Sequence, residues 1–161
     1  MTEKEMFLDT WQREFQTTMK VLNQFPTDKK DFRPHERSRS AHELAYTFIA
    51  EQSGMSTALD GQVRFDAGPA MPSTFKECLD LYEKSNNALV SKIKALNDDT
   101  LNGTVPFPVG PNKMADFRKL DLLWTIMMDM IHHRGQFSVY LRMAGGKVPS
   151  IYGPTADEPW N

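Results

Sequence analysis

One cysteine, Cys78, occurs in 161 residues, so the chain has no intramolecular disulfide to staple it. A lone thiol suits a reducing compartment, and at an apolar position of a helix it is expected to be a buried, inert side chain. There is also no run of eighteen apolar residues, which excludes a helical membrane span. Excess positive charge is missing as well: the formal net charge is −2. The one basic cluster (Lys29, Lys30, Arg33, Arg37 and Arg39) is broken by Asp31 and Glu36. A nucleic-acid partner would concentrate cations on one face, so none is expected. The opening residues, with Glu3, Lys4 and Glu5, lack the apolar core of a secretory leader, and a cytoplasmic location is expected. No internal repeat or low-complexity tract is found.

What is present is helical periodicity at a length suited to one domain, taken as residues 1–161. Phe7, Trp11, Phe15, Met19 and Leu22 form an apolar stripe in a first helix from about residue 3 to 23, with Thr2 and Glu5 spaced as a capping box. A second helix starts near Ser38 or Ser40, buries Leu44, Ala45, Phe48 and Ile49, and has Gly54 as a stop, with Leu59 as its furthest reach. A third begins at the Thr74/Glu77 capping box and carries Leu79, Tyr82, Leu89, Ile93 and Leu96. Asn86 and Asn87 weaken its period without breaking it. Pro106, Pro108 and Pro111 exclude helix from the next segment, where Val105, Phe107 and Val109 alternate as a short extended stretch. The fourth helix, from about residue 119 to 143, is apolar on most sides, with Met127, Met128 and Met130 expected in the core. Gly145 and Gly146 end it, and the tail is expected to pack through Ile151, Tyr152 and Trp160. Four such helices with long connections predict an all-α four-helix bundle. The broad apolar surface of the last helix predicts a homodimer.

Asp129 and His133 stand four apart on that helix and share a face. A carboxylate in apolar surroundings needs a partner. Three arrangements satisfy it: an ion pair with His133, a shared metal, or a wet cleft. Two ligands do not complete a zinc site. Glu43, Glu51 and Asp116 are further donors. His132 leaves the helix about 100° from His133, and His35 lies in a Pro-linked segment. Gly135 costs its helix about 1 kcal/mol against alanine, which close helix packing would explain.

The string His132-His133-Arg134-Gly135-Gln136, followed by Tyr140-Leu141-Arg142, Gly145, Val148-Pro149 and Tyr152-Gly153, resembles the C-terminal signature of the DinB-like (damage-inducible) superfamily. Arg39-Ser40 and Glu43-Leu44-Ala45 extend the likeness, loosely, over about 150 residues. The resemblance implies a four-helix bundle, frequently dimeric. It also implies a divalent metal, held by one histidine of the second helix and two histidines four apart on the signature helix. Some relatives are metal-dependent transferases or isomerases that use low-molecular-weight thiols such as bacillithiol or mycothiol.

This chain departs from that ligand set. His133 matches one family ligand, Asp129 stands where the other signature-helix histidine belongs, and Thr47 stands at the helix-two position. His42 leaves its helix about 140° from Thr47 and does not replace the missing imidazole. Asp129, His133 and the weakly ligating, pocket-facing Thr47 are therefore the expected site, for nickel, zinc, iron or manganese or for no metal. Two functions follow: a metal-dependent transferase acting on a small thiol or related substrate through a weakened site, or a non-catalytic, stress-associated small-molecule-binding bundle. Metal-free acid–base chemistry by His133, oriented by Asp129, lacks a nucleophile.

Overall fold

The computed structural model describes residues 1–160. Helices dominate: α1 (Glu3–Leu22), α2 (Ala41–Leu59), α3 (Phe75–Ala95), the short α4 (Asp98–Asn102) and α5 (Lys119–Met143), with strands β1 (Thr104–Gly110) and β2 (Lys113–Arg118) between α4 and α5. Three of the long helices begin with reciprocal capping boxes: Thr2 with Glu5, Ser40 with Glu43, and Thr74 with Glu77. α5 has no side-chain cap, because β2 runs directly into it at Arg118. No helix among the described residues is long and apolar enough to cross a membrane.

α2 packs against both α3 and α5, and α1 packs against α5 and, less extensively, α3. The first two helices of the chain are thus not principal neighbours, as they would be in a plain up-and-down bundle. The core between them is aromatic: Phe7 meets Trp124 edge to face, and Phe25, Phe75 and Phe137 form a cluster with centroids 5.2–6.2 Å apart. Trp11 explains the asparagine inside α3. Its indole N–H donates to the buried Asn86 Oδ1 at 2.7 Å, so a polar residue sits in the core with its carbonyl satisfied.

Several expectations need correction. Gly54 does not stop α2. It lies inside the helix, and a Cβ there would come within 2.5 Å of the Phe65 ring, so it allows the 60–74 connection to lie against the helix. The alternating Val105/Phe107/Val109 segment is one arm of a two-stranded antiparallel hairpin, anchored by the fully buried Val105. Its turn carries Asn112 at φ 55, a conformation asparagine tolerates. Met127 and Met130 are buried, but Met128 is exposed. Gly135 faces open space, so close packing within the chain does not account for it. Trp160 is largely exposed and does not anchor the tail; Ile151 packs against the core as expected, together with Val148, and Tyr152, though its ring is exposed, is tied down through its hydroxyl to Arg134 and Glu14.

Candidate metal centre

α2 and α5 lie side by side, and each contributes one helical face to a cleft of about 700 Å³. From α2 come Thr47 and Glu51, one turn apart; from α5 come Asp129 and His133, also one turn apart. Arg39, in the segment leading into α2, and Phe65 and Met71, in the connection after it, form other walls. Tyr46 ties that connection down by donating its hydroxyl to the carbonyl of Pro69.

Glu51 Oε1 lies 3.2 Å from His133 Nε2, and Asp129 Oδ2 lies 3.6 Å from the same nitrogen. One ligand atom from each of Glu51, Asp129 and His133 falls within 4.8 Å of the others. The three sites differ in exposure. Glu51 is buried, His133 is half-buried and Asp129 opens to solvent. Asp129 thus faces the open cleft and also lies at ion-pair distance from His133, so the three arrangements its sequence context allowed are compatible with one geometry.

The remaining polar groups fix the imidazole. Gln136 Oε1 is 2.9 Å from His133 Nδ1, and Gln136 Nε2 is 2.9 Å from His132 Nε2. If the amide donates to His132, its oxygen accepts from His133 Nδ1–H, and Nε2 is the nitrogen that faces the two carboxylates, donating a proton to Glu51 when the imidazole is charged and offering its lone pair once that proton is displaced. That is the orientation in which a histidine ligates a cation. His132 itself points outward and supports the ligand through Gln136 rather than joining the cluster.

Burial pushes the Glu51 carboxyl up to about 7, partly offset by its hydrogen bond and ion pair with His133. The same hydrogen bond raises His133 against the opposing effect of desolvation. Glu51 Oε2 is buried with no hydrogen-bond partner. Two carboxylates, an oriented imidazole nitrogen and an unpartnered buried carboxylate oxygen are a donor set suited to a divalent cation.

Thr47 lines this cleft, but its hydroxyl is already engaged. It donates to the Glu43 carbonyl at 3.1 Å and accepts from Arg39 Nη1 at 2.9 Å. Glu51, one turn further along α2, is the residue that meets Asp129 and His133. In the sequence Glu51 is one of three further donors, and spacing alone does not single it out. The available signal was a charged residue four positions after Thr47, directly behind the apolar Phe48-Ile49-Ala50 run. Of the other two, Glu43 caps α2 and pairs with Arg33 at 3.0 Å, and Asp116 lies in β2 opposite Pro106. His42 is buried near Phe75, away from the cleft, with burial lowering its pKa. Cys78 is buried too, and burial raises its thiol to about 12, the inert state expected of it.

A helical bundle of this topology with long connections is the DinB type of architecture. The chain belongs to the DinB family, whose model matches residues 1–160. It is 29% identical over 157 residues to the Bacillus subtilis protein YrdA, covering 94% of this chain and 89% of that protein. Among solved structures, it resembles a DinB-like protein of Bacillus cereus (24% identity, TM-score 0.71, 92% of this chain and 97% of the other). A second DinB-like protein, YjoA of Bacillus subtilis, superposes with TM-score 0.74 at 17% identity over 91% of this chain and 97% of its own. A mycothiol-dependent maleylpyruvate isomerase shares the fold at TM-score 0.61 and 14% identity, over 83% of this chain and 60% of the isomerase.

Proposed function

We propose that this protein is a divalent-metal-dependent transferase acting on a small thiol or a related substrate, with Glu51, Asp129 and His133 as the metal's protein ligands. The observation that carries the reading is their convergence, within 4.8 Å of one another, on the wall of a cleft large enough for a small molecule. The fold shared with a mycothiol-dependent isomerase supports the reaction class. A bound metal would supply Lewis acidity and lower the pKa of a coordinated thiol or water. Glu51 holds or releases a proton near neutral pH, and Gln136, engaging Nδ1, keeps His133 Nε2 aimed at the cluster. Thr47 belongs to the site as a pocket-facing hydroxyl that positions Arg39. We include a homodimer in the proposal: Val139 and Met143 form an exposed apolar face at the end of α5, with the open Gly135 one turn before Val139. Sedimentation as an 18.4 kDa monomer would remove that element.

Protein purified without a metal-affinity tag should carry near-stoichiometric nickel, zinc, iron or manganese. His133→Ala should reduce it to background, whereas Thr47→Val should retain it. Full metal content in His133→Ala, measured by elemental analysis, would refute the ligand assignment. The second reading, a metal-free small-molecule-binding bundle, is favoured by the contact between Glu51 and His133, which can neutralise each other without a cation. Metal-dependent turnover of a thiol conjugate, abolished in Asp129→Asn, counts against it.

A further inference from the structure

The acid–imidazole cluster lies on a wall shared by two clefts of opposite character. Glu51, Phe65 and Asp129 border both. The first cleft continues to the segment before α2, where three arginines line it. Arg33 is occupied, pairing with Glu43 and donating to the Ser38 carbonyl. Arg37 and Arg39 make no ion pair among the described residues, although Glu36 lines the same cleft.

Arg39 is the closer of the two to being a built recognition group. Its Nη1 is pinned by Thr47, which stands one turn from Glu51 on α2. A guanidinium has five N–H donors in a fixed fork, and this contact uses one of them. The unused donors are free to take a carboxylate in the bidentate manner. The second cleft, of about 400 Å³, is walled by Phe65, Phe107, Ile126 and Met128. Phe65 and Met128 are exposed there (38% and 62%), so the bundle itself does not cover this apolar wall.

We propose that the substrate is an amphipathic organic anion, whose carboxylate or similar anionic group docks on Arg39 and whose apolar arm lies beside Phe65 in the second cleft. The middle of such a molecule spans the Glu51–Asp129–His133 cluster. This assignment rests on that cluster being the reactive centre. It has an electrostatic rationale: two carboxylates with a divalent cation are neutral together, so the centre offers no net attraction to an anion. Arg39, anchored to Thr47 one turn from Glu51, supplies that attraction and sets the orientation as well as the affinity. The same geometry gives Thr47 its role as a positioning residue for Arg39.

The probes are 3-phenylpropionate, its uncharged amide, and propionate, titrated calorimetrically into chelator-dialysed and zinc-loaded protein. Wild type should bind phenylpropionate about tenfold more tightly than the amide, equivalent to about 1.4 kcal/mol. It should also prefer phenylpropionate to propionate. Arg39→Gln should abolish the preference for the carboxylate over the amide in both forms, and Phe65→Ala should abolish the preference for the phenyl arm. Equal binding of acid and amide, or no saturable binding of phenylpropionate at millimolar concentration, overturns the proposal. So does an Arg39→Gln preference that survives in the zinc-loaded form alone, because the carboxylate would then sit on zinc. Metal content of Arg39→Gln is measured in parallel. Wild-type metal loading with lost anion preference supports the proposal; absence of metal from every variant, wild type included, refutes the metal reading while the acid/amide comparison still tests Arg39.

Discussion

Replacing Arg134 with methionine should destabilise the fold by about 3 kcal/mol, the scale on which removal of one partner from a buried ion pair acts. Arg134 is 2% exposed, although it carries a full charge in the middle of α5. Its Nη1 lies 2.7 Å from Glu14 Oε2 and also donates to the Glu14 carbonyl and the Thr18 hydroxyl of α1. Its Nη2 donates to the Tyr152 hydroxyl, which in turn donates to Glu14 Oε2 at 2.6 Å. One guanidinium therefore joins α5, α1 and the C-terminal tail. Methionine keeps most of the volume but leaves Glu14, itself largely buried, without its cation. At this chain length the loss should lower the melting temperature by roughly 6–12 °C. The double variant Arg134→Met/Glu14→Leu should recover at least half of that, since the remaining cost is then lost hydrogen bonds rather than an uncompensated charge. A single variant that melts with wild type would show that the network contributes nothing net.

This role divides the signature string by function. His133 faces the cleft, Gln136 orients it and His132 receives the amide of Gln136. Arg134, between them, turns into the core and holds the bundle together. Sequence spacing separates these faces, since each residue turns the helix by about 100°, but it does not say which face is buried. That depends on Glu14, which is distant in sequence and has no local mark of its task. Two of the capping boxes, Thr2 with Glu5 and Thr74 with Glu77, were legible because the whole interaction lies within four residues; the third, Ser40 with Glu43, has the same spacing and went unread, although Ser40 was one of the two expected starts. The hairpin was half legible. β1 alternates, but Lys-Met-Ala-Asp-Phe-Arg in β2 shows no run of β-branched residues and pairs with β1 through its backbone and Phe117. The candidate centre followed the same rule. Asp129 and His133 share one helix and could be paired from spacing, whereas choosing Glu51 over Thr47 required knowing how α2 is rotated and how far it slides along α5.

Glu51→Gln should have opposite effects in the two states of the protein, and this is the sharper test of the centre. In chelator-dialysed protein, burial raises the Glu51 carboxyl to about 7, above the value of 4.5 it has in the unfolded chain. Between those values the folded state binds the proton that the unfolded state releases, so stability falls as pH rises from about 4.5 through 7 and levels off once both states are ionised. The shift corresponds to at most about 3 kcal/mol, and its coupling to His133, also raised, spreads the loss over both groups. Glutamine has nearly the same shape and no charge to bury. The variant should therefore match wild type near pH 5 and exceed it by about 1–3 kcal/mol at pH 8, read as chemical-denaturation midpoints across the range. Addition of zinc should reverse the order. Wild type gains about 2.7 kcal/mol at a hundredfold excess over its dissociation constant, while the variant, lacking one anionic ligand, gains much less. Metal uptake by wild type should also release a proton at neutral pH, because the cation takes the place the proton held on Glu51. Parallel stability profiles for the two proteins would mean that Glu51 is already ionised and solvated. Equal stabilisation by zinc would remove it from the ligand set, leaving Asp129 and His133 as a pair too few to hold the ion.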